Sequence, residues 1–151
     1  MSPKSNLTAP RSKYPWGITL ALGLSLNVAA EPVNLIFAGD IMLDDGPGRY
    51  ISEGGDPLLP FSKLLKEADY RIGNLECPIA NSGVQLDNKI YNFRAKPRVL
   101  PVLQGRFDAL SLANNHSGDY GREAFLETMI HLDQAGINYF GGGRNLAEAH
   151  K

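Results

Sequence analysis

Three strand-like runs in this chain each end in a cluster of polar, chemistry-bearing side chains, and that recurrence restricts the fold more than any other feature. Val33 to Ala38 closes in Gly39-Asp40. Ala68-Asp69-Tyr70-Arg71-Ile72 leads into Gly73-Asn74-Leu75-Glu76-Cys77-Pro78, and Phe107 to Leu112 ends in Ala113-Asn114-Asn115-His116-Ser117-Gly118-Asp119-Tyr120-Gly121. Short apolar runs of this kind suit strands of a sheet covered on both faces. Helical patterns separate them. Phe61, Leu64, Leu65 and Ala68 fall on one helical face. Pro97 suits a first helical turn, with Val99, Leu100, Val102 and Leu103 apolar and Gly105 as the stop. A longer helix is predicted from Arg122 to Gln134, with Phe125, Leu126, Met129, Ile130 and Leu132 inward and Gly136 ending it. Ile137 to Phe140 reads as a fourth strand, and Asn145 to Ala149 as a helix start. Asp44 to Gly48 reads as a turn-rich loop, and residues 79–96 as irregular. Alternating strands and helices predict an α/β fold with a largely parallel sheet. In such a sheet the strand C-terminal ends share one edge, where ligands and catalytic groups collect. Asp40, Asn74, Glu76, Asn115 and His116 would all meet there, each just past a strand.

Composition narrows the class. The chain has 151 residues, a formal charge of -1 and 43% hydrophobic residues, which suits one ordinary globular domain. Its Lys and Arg are scattered, so no nucleic-acid footprint is expected. The first thirty residues differ: Lys4, Arg11 and Lys13 precede an apolar run from Trp16 to Val28, and Val28-Ala29-Ala30 offers small residues before Glu31-Pro32. That is the layout of a secretory signal peptide, or of an N-terminal anchor if it is not removed. An exported protein is therefore expected, periplasmic, extracellular or attached to the envelope. Cys77 is the single cysteine, so no intrachain disulfide can form.

Carboxylate, amide and imidazole groups suit a divalent Mn, Fe, Zn or Mg ion. Two metals bridged by a carboxylate would serve hydrolysis of a phosphate or similar ester, with a histidine protonating the leaving group. No HExxH, Walker A or GxSxG pattern is present. Asp40 alone reads as a turn cap, and Asn114 as an amide bonding its own loop. Asp119 either orients His116 or caps the following helix. Cys77 reads as a small buried residue, Asp44, Asp45 and Asp56 as turn residues, and His131 as solvated. The glycines at 141–143 read as a turn.

Gly39-Asp40-Ile41-Met42-Leu43, Gly73-Asn74-Leu75-Glu76 and Ala113-Asn114-Asn115-His116-Ser117-Gly118-Asp119-Tyr120-Gly121 together resemble the signatures of the CapA-type capsule synthesis proteins, also called poly-gamma-glutamate biosynthesis proteins. Gly136 to Gly143, with Glu148-Ala149, fits the same pattern. The resemblance implies the fold of the calcineurin-like metallophosphoesterases, a two-sheet α/β sandwich. Residues 31–151 would be the N-terminal part of such a domain, its C-terminal part lying beyond Lys151. It further implies metal ligation by Asp40, Glu76, Asn115 and Asn74, with Glu76 favoured over Asn74 as the bridge because a bridging ligand should carry charge. His116 would be the catalytic proton donor. Partners would be an anionic capsule polymer or a phosphoester substrate, with capsule synthesis machinery at the membrane. Met42 stands where metallophosphoesterases carry a histidine, so a non-catalytic protein that binds or guides the polymer is the alternative.

Overall fold

A computed structural model describes residues 31–150; the predicted leader lies outside them. Pro32–Lys151 forms one unit. Four strands, β1 (Leu35–Ile41), β2 (Tyr70–Leu75), β3 (Ala109–Ser111) and β4 (Asn138–Phe140), pair in parallel in the order β1-β2-β3-β4. The predicted α/β class with a parallel sheet is what forms. Between the strands run α1 (Asp45–Ser52), α2 (Ser62–Glu67), α3 (Leu100–Leu103) and α4 (Gly121–Ala135), and α5 (Leu146–Ala149) follows β4.

A parallel sheet laid down in sequence order, with every crossover of the same hand, carries all its helices on one face. Burial agrees. Side chains of Ile41, Leu75 and Leu110 share one face by register with Gly73, and all four residues are buried. On that face a Cβ at Gly73 would meet Ile41 Cδ1 at 2.2 Å, so glycine there permits the close approach. The core continues through Leu65, Cys77, Ile79, Leu103, Met129 and Leu132. The opposite face carries Leu35, Phe37, Tyr70 and Phe140, all of them exposed. The described residues thus form one covered layer of the expected sandwich.

Several elements differ from expectation. β1 and β2 run on through their polar ends, so Asp40 and Asn74 lie inside strands, not just past them. In β1 the register slips between Phe37 and Asp40. Gly39, at φ 72°, takes the backbone through that irregularity. The extra residue puts Asp40 opposite Asn74 on the open face, where an unbroken period of two would have turned it inward. Asp44 to Gly48 was expected to be a loop, but residues from Asp45 on form α1. Phe61 and Leu64 are exposed and only Leu65 of that helix is buried, because α2 has a single packed side. In α4, Ile130 is exposed and Ala124 and Thr128 are buried instead. Gly136 ends α4 in the left-handed conformation, as predicted.

Candidate functional site

The polar strand ends form one hydrogen-bonded chain. Asn74 Nδ2 donates to Asp40 Oδ1 at 2.8 Å and to Glu76 Oε2 at 2.6 Å, so two carboxylates converge on one amide. Asn74 Oδ1 accepts from Asn114 Nδ2 at 2.9 Å, and the same amide donates to the Leu75 carbonyl. Asn114 Oδ1 accepts from the backbone of His116 and Ser117 and from the Ser117 hydroxyl. Every polar atom of the Asn114 side chain is therefore engaged, and it fixes the loop to β2.

His116 follows. Its Nδ1 lies 2.7 Å from Asp119 Oδ2, and its Nε2 lies 3.9 Å from Glu76 Oε1. The Phe93 ring stands against it with centroids 4.8 Å apart. Asp119 is 0% exposed and does not cap α4, whose N-cap is Tyr120. Its carboxylate accepts from His116, from the Phe93 amide at 2.8 Å and from the Lys89 ammonium. Lys89 Nζ also donates to the Asn115 carbonyl at 2.7 Å.

The structure thus brings Asp40, Asn74, Glu76, His116 and Asp119 together. Asn115 is exposed and joins through its carbonyl, while Asn114 supplies the inward amide. Lys89 escapes sequence reasoning because a lysine in an irregular segment carries no periodic signal. Only the tertiary fold brings it to a residue 30 positions away.

The 81–96 segment is fastened to this site from several directions. Arg94 Nη1 donates to the carbonyls of Ser82 and Gly83, and its guanidinium sits 4.0 Å from the Tyr120 ring centre. The Leu86 amide donates to the Asp119 carbonyl. Glu127 accepts from the amides of Asn81 and Ser82, the Ser82 hydroxyl and His131. Burial would raise the Glu127 carboxyl, but these donors outweigh it and hold the pKa down at about 2. His131, expected to be solvated, is thus part of a clamp. Burial pushes the Cys77 thiol up to about 11, against weaker support for the thiolate from the Leu43 amide. It is a packed residue and a poor nucleophile.

A sequence model of the bacterial capsule synthesis protein PGA_cap matches residues 34–151. The chain belongs to that family. It is 30% identical over 128 residues to the capsule biosynthesis protein CapA of Bacillus anthracis, an alignment covering 78% of this chain and 30% of that protein. Against the PGA biosynthesis protein CapA of Bacillus subtilis the identity is 29%, covering 76% and 31% respectively. A probable polyglutamine synthesis accessory protein of Mycobacterium tuberculosis is 35% identical over 157 residues, covering 80% and 41%. The chain therefore spans about a third of the length of the first two relatives.

Every sequence motif that carried the resemblance lies in or beside the hydrogen-bonded chain, apart from the glycine-rich stretch after β4. Among the described residues no three His, Cys, Asp or Glu side chains stand close enough to hold a metal by themselves. No helix among them is long and apolar enough to cross a membrane.

Proposed function

We propose that this PGA_cap protein serves capsule or poly-gamma-glutamate synthesis through a metal-dependent, phosphoesterase-like site at the strand ends. One observation carries the reading: two carboxylates, Asp40 and Glu76, converge on a single electropositive group, the Asn74 NH₂, within reach of His116. A divalent cation suits the same point, since both carboxylates offer hard oxygen donors. Asp40 and Glu76 would hold it, with an amide oxygen of Asn74 or Asn115 completing part of the shell. When bound, the metal supplies Lewis-acid polarisation of an ester oxygen and a lowered pKa for bound water.

The chain's own residues do the rest. Asp119 accepts from Nδ1 of His116 and so aims Nε2 at the carboxylate pair, where it can deliver a proton to a leaving oxygen. Phe93 shields one side of the imidazole and limits its rotation. Asn114 holds the turn that carries His116 against β2.

In the intact protein, stoichiometric Mn or Mg should be found by elemental analysis and lost in Asp40→Ala. His116→Ala should slow hydrolysis of a model phosphodiester by about 10²- to 10⁴-fold, the usual contribution of a general acid. Purified protein with no bound cation at saturating Mn or Mg would end the enzymatic reading.

A second reading, a non-catalytic protein that binds an anionic polymer, draws on Met42 beside Asp40 and on the absence of a three-ligand His, Cys, Asp or Glu group among the described residues. Poly-gamma-glutamate binding that survives the double change Asp40→Ala and His116→Ala would favour it.

A further inference from the structure

We propose that Lys89 is a positioning residue for His116: its ammonium divides the Asp119 carboxylate so that one oxygen is left to the imidazole. The kinetic consequence of this role rests on the reading of His116 as proton donor; the geometric role does not.

Asp119 is a carboxylate with 0% exposure, so each of its oxygens needs a donor. Oδ1 receives Lys89 Nζ, and Oδ2 receives His116 Nδ1 and the Phe93 amide. Lysine donates and cannot accept. Its approach to Nδ1 at 3.4 Å is therefore a contact between two donors that share one carboxylate, each taking its own oxygen. Lys89 Nζ also bonds the Asn115 carbonyl, so a single ammonium grips the chain just before His116 and the side chain three residues after it. With both ends of the turn held, the ring is left one arrangement: Nδ1–H toward Asp119 and Nε2 toward Glu76.

A simple fastening role does not account for Lys89. The segment that carries it is already closed on itself by Arg94 on the Ser82 and Gly83 carbonyls and by the Ile79–Ala95 bridge, and held to the rest of the protein by the Leu86 amide on the Asp119 carbonyl and the Asn81 and Ser82 amides on Glu127. Removing the ammonium leaves all of these in place. What it removes is the donor that reserves Asp119 Oδ1, freeing the carboxylate to turn and the imidazole to adopt its other tautomer.

The test uses protein labelled with ¹⁵N at histidine, in magnesium-containing buffer, with long-range proton–nitrogen correlation spectra. The chain has three histidines, so His116→Gln identifies the signals. In its neutral form wild-type His116 should show the Nδ1–H tautomer alone, which makes Nε2 the atom that takes up the proton to be delivered. Lys89→Met should show a mixture of both tautomers in a protein that still melts cooperatively, at a lower midpoint because the buried Asp119 carboxylate loses its cation, and Lys89→Arg should restore the single form. Lys89→Leu, which likewise carries no donor, gives the same reading if the Met variant does not fold. A single Nδ1–H tautomer in folded Lys89→Met or Lys89→Leu overturns the proposal. In the intact protein, Lys89→Met should lower kcat by about 10- to 100-fold with KM unchanged, as for supporting groups around other sites. An intact wild type that hydrolyses no phosphodiester defeats the functional reading, while the tautomer result decides the positioning role by itself.

Discussion

The two faces of one sheet are built to different standards. On the helix-covered face Leu75 and Leu110 are 1% and 0% exposed, and even a methyl group at Gly73 would collide with Ile41. On the other face Leu35 is 53% exposed and Phe37 71%, beside the polar chain of Asp40, Asn74 and Glu76. Strands of a parallel sheet are ordinarily covered on both sides. The contrast teaches that packing on the first face holds the strand ends in register. The second face carries two carboxylates and an imidazole at its polar end.

The largest effects should therefore come from the covered face. Leu110→Ala removes a fully enclosed side chain in contact with the core, and should cost about 2–5 kcal/mol in denaturant unfolding. Gly73→Ala adds a methyl against Ile41 and should cost about 1–3 kcal/mol by overpacking. A loss below ~0.5 kcal/mol for Leu110→Ala would mean that this face is not the one that holds the fold together.

That face was the legible part of the sequence. The 3.6-residue pattern after Gly121 follows from burial of one side of a helix, which leaves a period; the run ending at Ala38 is apolar on both sides, as suits a strand covered on both faces, although Leu35 and Phe37 are exposed. The polar ends were legible as residue types gathered at one edge. Which residues face inward was not. A one-residue slip in β1 turns Asp40 to the open face, and no side-chain pattern announces it. Asn114 and Asn115 are chemically identical neighbours. Which one enters the network depends on the turn from Leu112 to Ser117, fixed by contacts to β2 that lie 39 and 40 residues back. Phe61 and Leu64 were misread for a related reason: an apolar face on a helix predicts a partner but not whether the partner lies within the same stretch of chain.

A smaller effect should mark the clamp that ties the 81–96 segment to α4. Glu127 is held at about 2 in the folded protein, against an ordinary value of 4.5, by the Ser82, Asn81 and His131 donors that overcome its burial. A depressed carboxyl contributes stability that is fully present above its unfolded pKa and is lost as pH falls through the folded one. The contribution should therefore be intact at pH 6 and fade between about 4.5 and 2. Thermal melts at pH 6 should show Glu127→Gln less stable than wild type, and melts at pH 2.5 should close most of that gap. A gap that persists unchanged at pH 2.5 would assign the loss to altered shape rather than to the carboxylate's charge.

The smallest effect should come from the open face. Phe37 projects from the edge strand with most of its ring in solvent, so truncation removes little buried area and opens no cavity. Phe37→Ala should change the unfolding free energy by no more than ~0.5 kcal/mol, the usual range for a surface change. Leu110→Ala, two strands further in and on the reverse side, should cost several times more. The comparison is sharp because both changes remove a large apolar side chain from the same four-stranded sheet, one from its open face and one from its covered face. Equal losses in the two variants would mean that in solution the Phe37 face is packed as tightly as the helix-covered one, and the division of labour between the faces would then be wrong.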